Sequence, residues 1–220
     1  DMLNLISRLT FLHTIYSKIV NLIPSFLIHN SSKYMAIKKV LTNLKIDQID
    51  GDCIEFGIFT GSSFKHTIRT ENKLNKLNTT MFYGLDSFEG FPENNHPYFQ
   101  DKNFETDYSK VKKIERKFKE QAFIIKGYFK DTIYKNPGLK QIKKIKFALI
   151  DCDLYISAIE PIDYLIPRLV NGAYIMIDDY TNIDSDGNNI RKIINDKFNN
   201  IDYQIVGYFG TDGVIIRYFK

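Results

Sequence analysis

The sequence predicts a doubly wound α/β domain, with a mostly parallel seven-stranded sheet that ends in a C-terminal antiparallel hairpin. Three observations carry that expectation. Five short apolar or β-branched runs alternate with stretches of helical spacing, the pattern of repeated βαβ units. Two of those runs, Phe147-Ala148-Leu149-Ile150 and Ala173-Tyr174-Ile175-Met176-Ile177, are continuously apolar, as strands covered on both faces are. Two final runs flank the turn Gly210-Thr211-Asp212-Gly213, a hairpin signal.

Residues 3–23 have helical spacing interrupted by Arg8, His13, Lys18 and Asn21, and stop before Pro24. An amphipathic helix is expected there, not a signal peptide. Asp1 before Met2 reads as an expression-tag remnant, with Met2 as the expected start. Ser31 or Ser32 is expected to cap a second helix running to about Leu44. Residues 1–48 then form a helical lid or oligomerisation segment ahead of a main domain over residues 49–220.

The first strand is expected over 51–57, ending in a glycine-bearing turn, with a helix over 62–77. A second strand over 81–85 is closed by Asp86. Gly90, Pro92, Asn94, Asn95 and Pro97 make 87–107 a long loop, and long ordered loops are often functional. A helix over 109–120 leads to a third strand at 122–126. Asp131 or Thr132 is expected to open a short helix before the fourth strand, 147–150. Ser157-Ala158-Ile159-Glu160 has capping-box spacing with Pro161 in the first turn, and Asn171-Gly172 is the expected end of that helix. The fifth strand is 174–177. A polar loop over 180–188, a helix over 189–198 and strands over 203–209 and 214–219 complete the chain.

The 220 residues suffice for one sizeable core, and 44% hydrophobic content is ordinary for a globular protein. Thirty basic against 26 acidic residues leave a net charge of +4, which demands no nucleic-acid partner. The basic stretches 110–119 and 140–146 read as solvated faces. Cys53 and Cys152 fall in predicted strands, which suggests buried reduced thiols and a cytoplasmic setting. No apolar run approaches the ~20 residues that span a bilayer.

The chemistry gathers at strand ends. The fourth strand runs into Asp151-Cys152-Asp153 and the fifth into Asp178-Asp179. Ligands of open α/β sheets sit beyond the carboxyl ends of the strands. If these two strands are neighbours, three or four carboxylates meet there. They repel, so a positive group is expected between them, and a divalent cation held by oxygen ligands fits.

The turn Glu55-Phe56-Gly57-Ile58-Phe59-Thr60-Gly61-Ser62-Ser63 lies between strand and helix, where glycines admit a ligand and amides are free. Its Gly-x-x-x-Gly spacing is neither the dinucleotide fingerprint nor a phosphate loop. Asp86, on the flanking strand end, can accept two ribose hydroxyls. A nucleoside with an ammonium- or carboxylate-bearing arm suits the pair, and S-adenosylmethionine meets that description. Singly, each of these residues reads as a turn former or a cap; the ordered set does not.

The same segments resemble the macrocin O-methyltransferase (TylF/MycF-type) family. Gly51-Asp52-Cys53-Ile54-Glu55-Phe56-Gly57 with Gly61-Ser62-Ser63, then Gly84-Leu85-Asp86-Ser87-Phe88-Glu89-Gly90-Phe91-Pro92-Glu93, are similar to its first two motifs. Lys126-Gly127-Tyr128-Phe129-Lys130-Asp131-Thr132 resembles its third. Ile150-Asp151-Cys152-Asp153-Leu154-Tyr155-Ile156-Ser157 and Ile177-Asp178-Asp179-Tyr180 resemble its metal-binding strand ends. The likeness spans about residues 51–180, and the first fifty residues carry little of it.

The resemblance implies a Rossmann-like class I methyltransferase fold, S-adenosylmethionine as donor, Mg²⁺ or another divalent cation as cofactor, and methylation of a sugar hydroxyl. Glu55, Gly57 and Ser63 would hold the methionine end and Asp86 the ribose. Thr60, Gly61, Ser62, Ser87, Gly127, Tyr128, Phe129 and Asp151 would complete the cofactor shell. Asp151, Asp178 and Asp179 would be metal ligands. The chain departs from the family at Phe59-Thr60, where an aromatic or arginine is frequent, and at Tyr128, where tryptophan is usual.

Catalysis would combine Lewis-acid activation of the hydroxyl with in-line positioning. Asp151 is the first candidate base and His96 the second. His96 also reads as a surface loop residue, and Asp153 as a helix cap. Tyr155, Tyr180 and Phe91 are candidate walls of the acceptor pocket or plain core residues.

A metal-dependent glycosyltransferase using a nucleotide sugar through Asp151-Cys152-Asp153 is the alternative. It leaves the turn 55–63 without a role. A phosphohydrolase is disfavoured by Tyr155, where Thr or Val is expected. The high Lys, Asn and Ile content points to an AT-rich bacterial genome. The expected acceptor is a capsule or lipopolysaccharide sugar, or its nucleotide-linked precursor, in a homo-oligomeric enzyme.

Overall fold

Successive side chains of the central strands point to opposite faces of one sheet. Because both faces are covered, the strands are buried almost throughout, with a hydrophobic layer on each side. The computed structural model describes residues 10–75, 79–94, 96–100 and 102–220. Its strands are β1 (Asp52–Phe56), β2 (Phe82–Asp86), β3 (Ala122–Lys126), β4 (Ile145–Ile150), β5 (Leu169–Ile177), β6 (Asp202–Phe209) and β7 (Gly213–Phe219). They form a single seven-stranded sheet of order β3-β2-β1-β4-β5-β7-β6. β1 to β5 pair in parallel, and β7 is antiparallel to both β5 and β6. This is the doubly wound sheet with terminal hairpin that the sequence predicts.

The helices are α1 (Thr10–Leu22), α2 (Ser25–Ile46), α3 (Ser62–Leu74), α4 (Tyr108–Lys117), α5 (Phe129–Thr132), α6 (Pro137–Gln141), α7 (Tyr155–Leu165) and α8 (Ile190–Lys197). Ile54, Phe56, Ala148, Ile150, Ile175 and Ile177 face α7 and α8, meeting Ala158, Ile162, Ile190 and Ile194. The alternate residues Cys53, Phe147, Leu149 and Met176 face α2 and α3, meeting Ile37, Leu41, Leu44, Phe64 and Ile68. Each buried Ile, Leu, Phe or Met among them contributes about 1.5–3 kcal/mol.

Several helix starts differ from expectation. α2 begins at Ser25, directly after Pro24 (φ −55°), with no side-chain cap. Proline lacks the N–H that α1 would need to continue, and its fixed φ suits the start of a helix. Ser31 and Ser32 are therefore internal, and Ser32 Oγ accepts the Gly210 N–H at 2.9 Å. The predicted first helix lies partly outside the described residues, as do positions 76–78. α1 buries none of its residues, leaving Phe11, Ile15, Tyr16, Ile19 and Leu22 exposed.

α5 begins at Phe129, so Asp131 sits inside it and caps nothing. Asn136 instead caps α6, accepting the N–H groups of Gly138 and Leu139. α7 starts at Tyr155 after Leu154, without a side-chain cap. The Ser157 N–H already bonds Leu154 O, so the chain is helical before the presumed capping box, and Pro161 is an interior residue. α7 gives way at a 3₁₀ turn, Ile166–Arg168, containing Pro167.

Asn171 and Gly172 thus lie inside β5, where the register with β4 shifts. Gly172 has φ +81°, and a Cβ there would meet Ile49 at 2.4 Å. Lys146, placed in a solvated stretch by its sequence context, is buried: its Nζ lies 2.7 Å from Glu71 Oε1 and 2.9 Å from Thr80 Oγ1. Cys53 and Cys152 are free and buried, the latter just beyond the end of β4. No single helix among the described residues is long and apolar enough to cross a membrane; α1 and α2 pass such a test only as a pair bent by 114°.

Candidate active site

The register of the sheet aligns the chemistry. Phe56 pairs with Ile150, and Ile150 pairs with Ile177. Gly57, Asp151 and Asp178 therefore follow three neighbouring strand ends side by side. The Asp151 N–H donates to Phe56 O at 2.8 Å and the Asp178 N–H to Ile150 O at 2.9 Å, so the ladder itself holds these backbones. The chain winds away in opposite directions from β1 and β4, and at such a switch point a crevice opens. A cavity of about 880 Å³ lies there.

The first turn is shaped by contact with β4. Gly57 has φ +89°, and a Cβ on it would sit 1.8 Å from the Asp151 carbonyl oxygen. Only glycine permits that approach. Asp86 Oδ2 accepts the Phe59 N–H and Oδ1 the Phe88 N–H, both at 2.7 Å. Burial raises its pKa against these two donors, and each oxygen keeps lone-pair capacity for a further donor.

Glu55 belongs to the strand face that looks toward α3. Its Oε1 accepts from Ser63 Oγ in the first turn of that helix. Its Oε2 is buried with no partner among the described residues. Burial pushes the carboxyl up to about 8 despite the serine donor. An unpartnered buried carboxylate oxygen is costly, and a ligand ammonium would satisfy it.

Across the cavity, Asp151, Asp178 and Asp179 each place one carboxylate oxygen within 4.8 Å of the others. The positive group expected between them is present in the chain itself. Lys33 Nζ, on α2, lies 2.7 Å from Asp151 Oδ2 and 2.6 Å from Asp178 Oδ2. His29, one turn earlier, brings Nε2 to 3.0 Å from Asp178 Oδ2. Its Nδ1 accepts the Thr211 N–H at 3.3 Å, so Nε2 carries the proton that faces Asp178.

Burial opposes the Lys33 charge, but Asp151 and Asp178 outweigh it and hold the ammonium far above the ordinary lysine range. Burial likewise opposes ionisation of Asp178, yet Lys33 and then His29 keep its pKa low. Asp151 is pushed up to about 6 by burial, with Lys33 pulling the other way. Asp179 is raised by burial and by Asp178.

Asp153 does not cap α7. It hydrogen-bonds Asp179, and burial followed by the charges of Asp179 and Asp151 pushes its pKa well above the usual carboxylate range. Both Asp153 (φ +58°) and Asp179 (φ +50°) are left-handed, a conformation that costs non-glycine residues energy.

Of the sequence-predicted residues, Gly57, Thr60, Ser62, Ser63, Asp86, Ser87, Tyr128, Phe129, Asp151, Asp178 and Asp179 line the cavity. Glu55 lies behind Ser63. Gly61 is the left-handed N-cap of α3, and the Gly127 N–H donates to Asp86 O; both support the wall from behind. His96 is not brought to the site. It is buried, its Nδ1 accepting the Tyr98 and Phe99 N–H groups, and its ring lies 4.7 Å from that of Phe99. Phe91 lines the cavity, whereas Tyr180 belongs to the core under α8.

Lys33 and His29 are the residues that sequence reasoning missed. A signal existed: Lys33 heads the buried stripe Ala36-Ile37-Val40-Leu41-Leu44, a place where an unpaired lysine is not tolerated. The hard oxygen donors of Asp151, Asp178 and Asp179 fit a divalent cation such as Mg²⁺, and the orphan oxygen of Glu55 with the Gly57 turn and Asp86 fits an aminoacyl nucleoside.

The model of the macrocin-O-methyltransferase (TylF) family matches residues 29–209. Among curated proteins, the chain is 26% identical over 147 residues to an 8-demethyl-8-(2,3-dimethoxy-alpha-L-rhamnosyl)-tetracenomycin-C 4'-O-methyltransferase from Streptomyces olivaceus, covering 61% of this chain and 54% of that protein. It is 26% identical over 149 residues to a mycinamicin III 3''-O-methyltransferase from Micromonospora griseorubida, covering 61% and 57%. The chain thus spans about half the length of the curated relatives it matches. Among solved structures it is similar to the O-methyltransferase NovP (TM-score 0.71, 19% identity, 86% of this chain and 80% of that one). It is also similar to the calicheamicin methyltransferase CalS11 (TM-score 0.70, 19% identity, 92% and 85%). These two establish a shared fold.

Proposed function

The chain belongs to the macrocin-O-methyltransferase (TylF) family, and from that premise we propose that it transfers a methyl group from S-adenosylmethionine to a sugar hydroxyl. The observation that carries this reading is the partnerless Oε2 of Glu55 behind the Gly57 turn, in one crevice with Asp86 and the acidic cradle. Glu55 and Ser63 anchor the methionine end of the donor, and Asp86 takes the ribose hydroxyls. Tyr128 and Phe129 stand on the same wall.

Asp151, Asp178 and Asp179 would hold Mg²⁺, which when bound lowers the pKa of a nearby hydroxyl as a Lewis acid. Asp151 is the base. Its carboxylate lines the crevice, where it can accept the hydroxyl proton. The acceptor oxygen takes the methyl carbon as the carbon–sulfur bond breaks, the pair leaving with a neutral thioether sulfur. Phe104 packs its ring against those of Phe59 and Phe91, at 5.4 and 5.7 Å, which gives the cavity an aromatic wall.

The rhamnosyl group in one relative's name supports a sugar acceptor. We assign a nucleotide-linked or surface-polysaccharide sugar, and a cytoplasmic setting. The early turns of α2 cover the cradle through His29 and Lys33, and the exposed face of α1 suits contact between copies of a homo-oligomer.

Isothermal titration tests the reading. S-adenosylhomocysteine should bind at micromolar concentration, with no heat from nucleotide sugars alone. The opposite pattern would establish the glycosyltransferase alternative and end this one. Labelled donor with a panel of nucleotide sugars and glycans then identifies the acceptor, and turnover that survives excess chelator removes Mg²⁺ from the scheme.

A further inference from the structure

A divalent cation is not the only positive group built for the cradle. Lys33 Nζ touches one oxygen each of Asp151 and Asp178, at 2.7 and 2.6 Å. It arrives on α2, whose later turns are locked in the core through Ile37, Val40, Leu41 and Leu44. Lys33 is therefore delivered to the cradle by a fixed helix, and its aliphatic stem is buried with the head. Magnesium binds carboxylate oxygens at about 2.1 Å, so a cation on the same Asp178 oxygen would lie within about 4.7 Å of Nζ by that same distance. Two like charges that close, in a half-dry crevice, repel strongly.

We propose that the Lys33 ammonium and a divalent cation are mutually exclusive occupants of the cradle formed by Asp151, Asp178 and Asp179. With Nζ between the carboxylates, Lys33 neutralises the cradle and ties α2 to the ends of β4 and β5. Metal entry requires that Nζ leave both carboxylates and turn toward the cavity. His29 stays hydrogen-bonded between Asp178 and the Thr211 turn, so the helix keeps its seat while the lysine head moves. The inference uses the proposed methyltransferase only for the role of the metal; the exclusion itself concerns the three carboxylates and Lys33 alone.

Mn²⁺ is the probe, and the full chain is the sample. Free Mn²⁺ is followed by electron paramagnetic resonance for the wild type, Lys33→Met and Lys33→Arg. Lys33→Met should bind Mn²⁺ about tenfold more tightly or better, because a competitor is gone, while Lys33→Arg should stay as weak as the wild type. Equal affinity in wild type and Lys33→Met overturns the exclusion.

A second readout needs no variant. In the wild type, Lys33 should resist amine acylation without metal and become several-fold more reactive, by peptide mapping, when Mn²⁺ is added; unchanged labelling also overturns the proposal. Absence of Mn²⁺ binding in both proteins, with S-adenosylhomocysteine still bound, rejects the exclusion and leaves methyl transfer standing. Loss of S-adenosylhomocysteine binding with the Mn²⁺ pattern intact rejects methyl transfer and leaves the exclusion standing.

Discussion

Ser63 donates its hydroxyl proton to one oxygen of Glu55 and leaves the other oxygen buried without a partner. The pair joins β1 to the first turn of α3, so the group that waits for a ligand is held from both sides of the Gly57 turn. Because burial pushes Glu55 up to about 8 from its ordinary 4.5, the native protein binds a proton that the unfolded chain has already lost between those values. The stability owed to that proton is full below pH 4.5 and is lost as pH rises through 8. Glu55→Gln should flatten the fall in melting temperature over this window. It should also weaken S-adenosylhomocysteine about 10- to 100-fold, the worth of one charge-assisted hydrogen bond. An unchanged pH profile would show that Glu55 is ionised in the free protein.

Asp178→Asn should separate binding from turnover. The residue lies two strand ends from the Gly57 turn and three from Asp86, touching neither, so affinity for S-adenosylhomocysteine should stay within about threefold. Turnover should fall by about 100-fold or more, the scale of lost charge stabilisation at a metal or proton-transfer site. Unchanged turnover would dismiss Asp178 as a ligand.

Lys146 and Glu71 form an ion pair buried at 5% and 1% side-chain exposure. Lys146→Met leaves the Glu71 carboxylate uncompensated and should cost about 3–5 kcal/mol in urea denaturation. Lys146→Met combined with Glu71→Gln should recover most of that loss. A single-variant loss below about 1 kcal/mol would mean that Glu71 takes up a proton at little cost.

Two glycines with similar backbones make a controlled comparison. Gly57 (φ +89°) would drive a Cβ to 1.8 Å from Asp151 O, whereas Gly187 (φ +77°) has nothing within 4 Å. Gly187→Ala should cost only the left-handed strain, about 1 kcal/mol. Gly57→Ala should cost well over that and abolish binding of S-adenosylhomocysteine, because β1 and β4 must part to admit the methyl. Equal melting temperatures for the two variants would refute the close approach.

The strands and the acidic ends were legible because each is local: continuous apolar residues, then carboxylates. Even the need for a positive partner could be read from Asp151 and Asp178. The buried stripe marks Lys33 as a lysine in need of a partner, but Asp151 lies 118 residues away along the chain and only the packing of α2 brings the two together. Helix starts misled for the opposite reason. Ser31, Ser32 and Ser157 have capping chemistry, but Pro24 and the backbone at Leu154 decide where α2 and α7 begin. His96 had the right chemistry in the right loop, and its imidazole is spent on two loop amides instead.

The left-handed backbones of Asp153 and Asp179 set durability against chemistry. Each carries about 1–3 kcal/mol of strain where glycine would carry little, and each crowds another carboxylate. Asp153→Gly should therefore raise the melting temperature even as it removes the hydrogen bond that Asp153 makes to Asp179. Stabilising selection applied without an activity screen would strip these positions first, so thermal robustness is the wrong criterion for improving this protein as a catalyst.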